Sequence, residues 1–168
     1  NVDNCDRLRH SSTTAGLAAA FGSGAMTNSI GEFDDADLFF VIGSNTTAQH
    51  PLIGTRIVNA VDRGARFLLF DPRETPFAPL ATIHLRHNLG TEVALVNGVM
   101  NIIIQEDLHD RVYIESRTEG FDGLKAVLGR YTPKVVEQIT GVRSADLYRA
   151  AVMYAQADKA MIVCSTGM

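Results

Sequence analysis

The chain has 168 residues, 46% of them hydrophobic and 20% charged, with a formal net charge of −4. That length suits one domain with a real core and excludes a disordered tail. The acidic balance argues against nucleic acid as a partner, and no apolar run approaches the roughly 18 residues of a membrane span, so no direct membrane insertion is expected.

In chain order, residues 11–20 are rich in Ala, Leu and Ser/Thr and read as a helix with Ser11 or Ser12 as N-cap. Residues 21–30 carry Gly22, Ser23, Gly24, Thr27 and Asn28 and read as a loop. Residues 38–42 are continuously apolar and end at Gly43, which suits a strand buried on both faces. Pro51 opens a helix to about Arg63, and Gly64 stops it. Residues 66–70 form a second buried strand, followed by Asp71-Pro72-Arg73, and residues 82–85 a short third. A long helix starts at Thr91 and runs to about Gln105. Residues 110–116, 121–128 and 133–139 read as shorter helices, and Ser144-Ala145-Asp146 caps one that runs to about Gln156. Residues 160–164 are the last strand; because such strands lead into further helices, the chain reads as a piece of a longer one.

Apolar strands alternating with helices predict a Rossmann-like, doubly wound α/β fold, with a mostly parallel sheet and helices on both faces. Ligands of such sheets bind beyond the carboxyl ends of the strands. That directs attention to residues 43–49, 71–75, 86–92 and 165–168. Gly43 allows close backbone approach, and Ser44, Asn45, Thr46 and Thr47 offer side-chain hydrogen bonds before a helix start that favours phosphate; an ordinary polar loop with a helix cap explains them equally well. Asp71 stands where an acid can accept from ribose hydroxyls, and Arg73 can pair with phosphate or stack on a base. The plainer account is a turn at Asp-Pro. Gly90-Thr91-Glu92 opens the longest helix. Thr91 and Glu92 are either a cap and a dipole partner, or Glu92 accepts two N–H donors of a guanine edge.

Gly22-Ser23-Gly24 follows a helix rather than a strand, and Gly43 stands alone where a dinucleotide fingerprint needs three glycines, so a standard NAD site is disfavoured. His84 and His87 are three apart but no third ligand is near in sequence, so no metal site is assigned. His109 reads as an exposed residue of a polar turn. The two cysteines, Cys5 and Cys164, make neither a zinc pattern nor a disulfide framework and favour a reducing compartment.

Ordered motifs run the whole length: Asn1-Val2-Asp3-Asn4-Cys5-Asp6-Arg7-Leu8-Arg9-His10, residues 22–30, Val41-Ile42-Gly43-Ser44-Asn45, His50-Pro51, Asp71-Pro72-Arg73, Gly90-Thr91-Glu92, Arg117-Thr118-Glu119-Gly120-Phe121 and Ile139-Thr140-Gly141-Val142. With these the chain resembles the molybdenum/tungsten bis(molybdopterin guanine dinucleotide) oxidoreductases, and most closely formate dehydrogenase catalytic subunits. The resemblance implies one α/β domain over residues 1–168 of a multidomain subunit. Residues 1–35 would be a leading segment near the metal site and residues 36–168 the strand-helix body. A 4Fe-4S cluster is expected in a domain outside this chain.

By position, the resemblance implies that Gly43, Ser44, Asn45 and Thr46 line the phosphate region of the cofactor. Asp71 and Arg73 would sit by the nucleoside, and Gly90, Thr91 and Glu92 by the guanine, with Cys5 also in the cofactor's surroundings. Relatives often carry Asp or Asn in place of Glu92. His10 would be the proton acceptor beside the metal, where formate is oxidised to carbon dioxide with two electrons to the molybdenum or tungsten centre.

The family places selenocysteine or cysteine, the metal ligand, directly before the histidine matching His10. Here that place holds Arg9, which has no lone pair to offer a metal. It stands for a UGA selenocysteine codon (one base from an arginine codon), for a relative without the ligand, or for a local slip of the alignment. Electron-transfer subunits and the remaining domains are the implied partners, and a cytoplasmic or periplasmic site the implied location. The chain alone is expected to be inactive. The rival expectations are a non-catalytic scaffold related to the large subunit of respiratory NADH dehydrogenase, a nitrate reductase domain, and a generic nucleotide-binding module.

Overall fold

A computed structural model describes residues 10–165. Cys5 and Arg9 lie outside the described residues, as do residues 166–168. Four strands, β1 (Leu38–Ile42), β2 (Arg66–Phe70), β3 (Ile83–Leu85) and β4 (Ala160–Cys164), form one sheet of order β3-β2-β1-β4 in which every pairing is parallel. The chain winds outward from β1 to β3 and then returns to the other side of β1, so the order reverses between β1 and β4. In open parallel sheets of this kind, ligands bind outside the carboxyl ends of the strands.

Alternation along the central strands sorts the core into two layers. Leu38, Phe40 and Ile42 of β1 and Leu68 and Phe70 of β2 face one way. They pack on Leu95, Val99 and Ile102 of α4 (Glu92–Gln105), Val136 of α7 (Pro133–Thr140) and Leu147, Ala150 and Ala151 of α8 (Ser144–Ala155). Phe39, Val41, Phe67 and Leu69 face the other way and meet Ile57 and Ala60 of α3 (Pro51–Asp62), with Phe33 and Phe77. Helices therefore cover both faces, as expected. All five β1 residues are buried, which is why that strand shows no polar alternation.

The remaining helices are α1 (Ser11–Phe21), the single turn α2 (Thr46–Gln49), α5 (Arg111–Arg117) and α6 (Phe121–Leu128). No residue of α1 is buried, whereas Phe33 and Ala36 already belong to the core. The cap of α1 is His10 rather than Ser11 or Ser12, and it makes no side-chain cap hydrogen bond. Gly22, at φ +76°, closes that helix, a conformation that side chains with a Cβ rarely adopt. The third strand begins at Ile83, one residue late. Thr82 instead bonds laterally, donating its N–H to Phe67 O at 2.8 Å and accepting from Phe67 N at 3.0 Å through Oγ1. The last helix is capped from Arg143, one residue before Ser144. His109 is not exposed: its side chain is 15% accessible and its ring lies 5.4 Å from that of Phe121.

Two features fix the two ends of the sheet. Gly54 of α3 is buried, and a Cβ there would come within 3.3 Å of Thr47 Cα, so its hydrogen lets the α2 turn lie against α3. At the other end, the carboxylate of Asp37 accepts from the backbone N–H groups of Asp158 at 3.2 Å and Lys159 at 3.0 Å, tying the start of β1 to the start of β4. No described helix is long and apolar enough to cross a membrane.

Candidate functional site

Three loops after β1, β2 and β3 enclose a groove of about 420 Å³. The first contributes Gly43, Asn45, Ala48 and Gln49, the second Asp71, Pro72 and Arg73, and the third Leu89 and Glu92. Five residues chosen from the sequence (Gly43, Asn45, Asp71, Arg73 and Glu92) therefore meet in one place, although 49 positions separate the first from the last in the chain.

The β1 loop turns at Gly43, whose φ of +60° removes any Cβ from the rim. Its N–H donates to Phe70 O at 3.3 Å. Ser44 and Thr46 are buried and their hydroxyls bond each other at 2.8 Å, so they shape the turn and are not among the groove's lining residues. Asn45 accepts from Thr47 Oγ1 through Oδ1 at 3.1 Å and caps α2 with its carbonyl.

In the β2 loop, the Asp71 side chain is 1% exposed and that of Arg73 is 62% exposed. Arg73 donates to Asp71 Oδ1 from its backbone N at 2.9 Å and from Nε at 3.0 Å, and to Oδ2 from Nη2 at 2.9 Å. Burial pushes the Asp71 carboxyl up, but the hydrogen bonds and charge of Arg73 outweigh it and hold the group below the usual carboxylate range. Both Asp71 oxygens are thus engaged within the protein. The outward group is the guanidinium, aimed by the acid beneath it. Strand β3 braces this turn: His84 Nε2 donates to Asp71 O at 2.8 Å and Arg86 Nε to Pro72 O at 3.1 Å.

In the β3 loop, Asn88 ties the backbone to α7, donating from N to Thr140 O at 2.8 Å and from Nδ2 to Ile139 O at 3.3 Å. Thr91 occupies the cap position of α4 but donates Oγ1 to Asn88 O at 2.6 Å, so the cap is not made by its side chain. Gly90, at φ +77°, donates its N–H to Glu92 Oε1 at 3.4 Å. His87 Nε2 lies 3.2 Å from the same oxygen.

Gln49, Leu89 and the buried His87 fall within the rim segments that the sequence points to, but nothing in the sequence assigns them a part in the groove. Leu89 carries the one readable signal, an apolar residue beside a glycine in an otherwise polar loop. Ser165 opens the rim segment after β4; register places it beside Gly43, and its buried Oγ has no hydrogen-bond partner among the described residues. Its neighbours Thr166, Gly167 and Met168 lie outside the described residues. His84 and His87 make separate contacts, and no group of three or more His, Cys, Asp or Glu side chains that could hold a metal ion gathers among the described residues.

One groove thus offers a carboxylate, an exposed guanidinium, a carboxamide and a glycine turn. The set suits a ligand that brings both N–H donors and an anionic group, and its volume falls within the roughly 300–1,000 Å³ of small-molecule sites. Fold and groove together define a parallel α/β domain with a candidate ligand site at the carboxyl ends of its strands.

The molybdopterin oxidoreductase family model matches residues 1–168, and the chain belongs to that family. It is 45% identical over its whole length to F420-dependent formate dehydrogenase 1 subunit alpha of Methanococcus maripaludis, of which it covers 25%. It is 41% identical, again over its whole length, to formate dehydrogenase H of Escherichia coli, of which it covers 24%. Among solved structures, acetylene hydratase from Pelobacter acetylenicus superposes with a TM-score of 0.76 at 32% identity, over 80% of this chain and 19% of that one. The chain spans about a quarter of the length of the curated relatives it matches. The family implies a molybdenum or tungsten pterin cofactor, and the groove's guanidinium, carboxamide and carboxylate suit a group that carries anionic oxygens and N–H donors.

Proposed function

We propose that this chain is the domain of a formate dehydrogenase-type oxidoreductase that holds one guanine dinucleotide arm of a bis(molybdopterin guanine dinucleotide) cofactor. The convergence of Gly43, Asn45, Arg73 and Glu92 in one groove carries the reading. Glu92 would accept from the N–H edge of the guanine, because that edge offers donors and an ionised carboxylate offers only acceptors. Arg73, held by Asp71, would meet phosphate or stack on the base. Gly43 and Asn45 would admit the phosphate chain at the start of α2. When bound, the cofactor supplies the two-electron chemistry by which formate becomes carbon dioxide. In the full enzyme His10 would take the proton, residues 1–35 would lie near the metal, and an iron–sulfur domain and electron-transfer subunits would carry the electrons away. A cytoplasmic setting fits the cysteine usage.

Titration calorimetry with GDP and NAD tests the site. GDP binding the more tightly is expected, and NAD binding equally well or better overturns the assignment. The chain alone should give no formate-dependent dye reduction, since it holds about a quarter of its relatives' length; turnover would refute that expectation. A second reading, a non-catalytic scaffold, is favoured by Arg9 at the place of the metal ligand. The genomic codon for position 9, with metal analysis of the full-length protein, separates the two.

A further inference from the structure

His87 has no part in the reading above, yet it is among the most buried polar residues of the rim. Its side chain is 1% exposed, while Glu92, five residues on, keeps 14% and lines the groove. His87 Nε2 sits 3.2 Å from Glu92 Oε1, and Gly90 N–H reaches the same oxygen at 3.4 Å. Glu92 Oε1 only accepts when ionised, so the hydrogen of this contact belongs to His87 Nε2. Both protein contacts fall on Oε1, which leaves Oε2 for a ligand.

The other ring nitrogen, Nδ1, is buried without a hydrogen-bond partner among the described residues. A residue that only filled space would do better apolar, because a buried polar atom left unpaired is destabilising. The cost is understandable if the ring's task is the contact with Glu92. A glutamate has three side-chain torsions, and a rim glutamate without such a contact samples many rotamers. One fixed before the ligand arrives loses less freedom on binding.

We propose that His87 is a positioning residue: it immobilises Glu92 Oε1 and so presents Oε2 to the N–H edge of a guanine nucleotide. The inference rests on the reading of Glu92 given above and adds to it the device that sets that carboxylate's geometry.

The test uses the full-length enzyme that contains this chain. The readout is the fraction of guanine nucleotide retained after dialysis, measured as GMP released by acid hydrolysis, with melting temperature followed in parallel. His87→Leu keeps the site filled but removes the donor, and retention should fall roughly tenfold, the scale of one charge-assisted hydrogen bond. His87→Gln, which restores an N–H at similar reach, should recover most of that loss. Glu92→Gln should fall at least as far as His87→Leu, and the double variant no further than Glu92→Gln, because His87 acts through Glu92. Full retention in His87→Leu beside a fall in Glu92→Gln overturns the inference and leaves the guanine reading standing. Full retention in Glu92→Gln overturns the guanine reading and the inference with it. Equal loss in His87→Gln and His87→Leu, or additive loss in the double variant, also overturns the inference.

Discussion

Arg73 closes on Asp71 with three hydrogen bonds, and the acid is buried while the guanidinium is not. The pair therefore works as a pedestal, with the carboxylate fixing the direction of a cation at the rim. Asp71→Asn keeps the shape but removes the charge and should cost about 1–3 kcal/mol of stability at neutral pH. Because the folded-state carboxyl titrates below its ordinary value, its contribution is present above the unfolded value of about 3.9 and fades as pH falls through the lower, folded one. Urea denaturation at pH 7 should separate the two proteins, and the gap should close progressively below pH about 4. A gap that persists unchanged in acid would show that the charge does not matter.

Gly54 connects a buried helix position to the rim. A Cβ there would approach Thr47 Cα at 3.3 Å and Thr46 O at 3.6 Å, both backbone atoms with little freedom to yield. Gly54→Val should push the α2 turn off α3, lowering the melting temperature and weakening nucleotide binding several-fold. Calorimetry on the variant checks this; loss of stability with unchanged affinity would mean that the turn does not set the groove.

Gly98 sits mid-helix in α4, where alanine ordinarily gains roughly 1 kcal/mol over glycine. Here the added methyl would lie 2.7 Å from Val136 Cγ2 and 3.1 Å from Leu147 Cδ2. Val136 is β-branched and buried, so it cannot rotate aside cheaply. Overpacking of this kind costs about 1–3 kcal/mol, and Gly98→Ala is expected to be destabilising in net. A raised melting temperature would contradict the close packing of α4 on α7 and α8.

Much of this was legible in the residues. The strands at residues 38–42, 66–70 and 160–164 were set by unbroken apolar runs with glycine or polar punctuation, because a strand buried on both faces has no other way to read. The rim loops followed from one topological rule. What stayed hidden depended on contacts far apart in sequence. Nothing local distinguishes Ser44 and Thr46, whose hydroxyls bond each other, from Asn45, which reaches the groove. Asp71 read as a ligand acceptor because its position was right, but its closest donor is Arg73, two residues on. The spacing of His84 and His87 says nothing of the contact that His87 makes with Glu92. His109 looked solvated until α6 placed Phe121 beside it.

The Asp37 carboxylate holds two amides that lie 121 and 122 positions later in the chain. On a ribosome, β1 would meet β2 early, but its second neighbour would emerge only after every other described element had been made. A nascent chain must therefore carry an open, strongly apolar β1 flank while the intervening residues are made, and that interval is when a chaperone has something to protect.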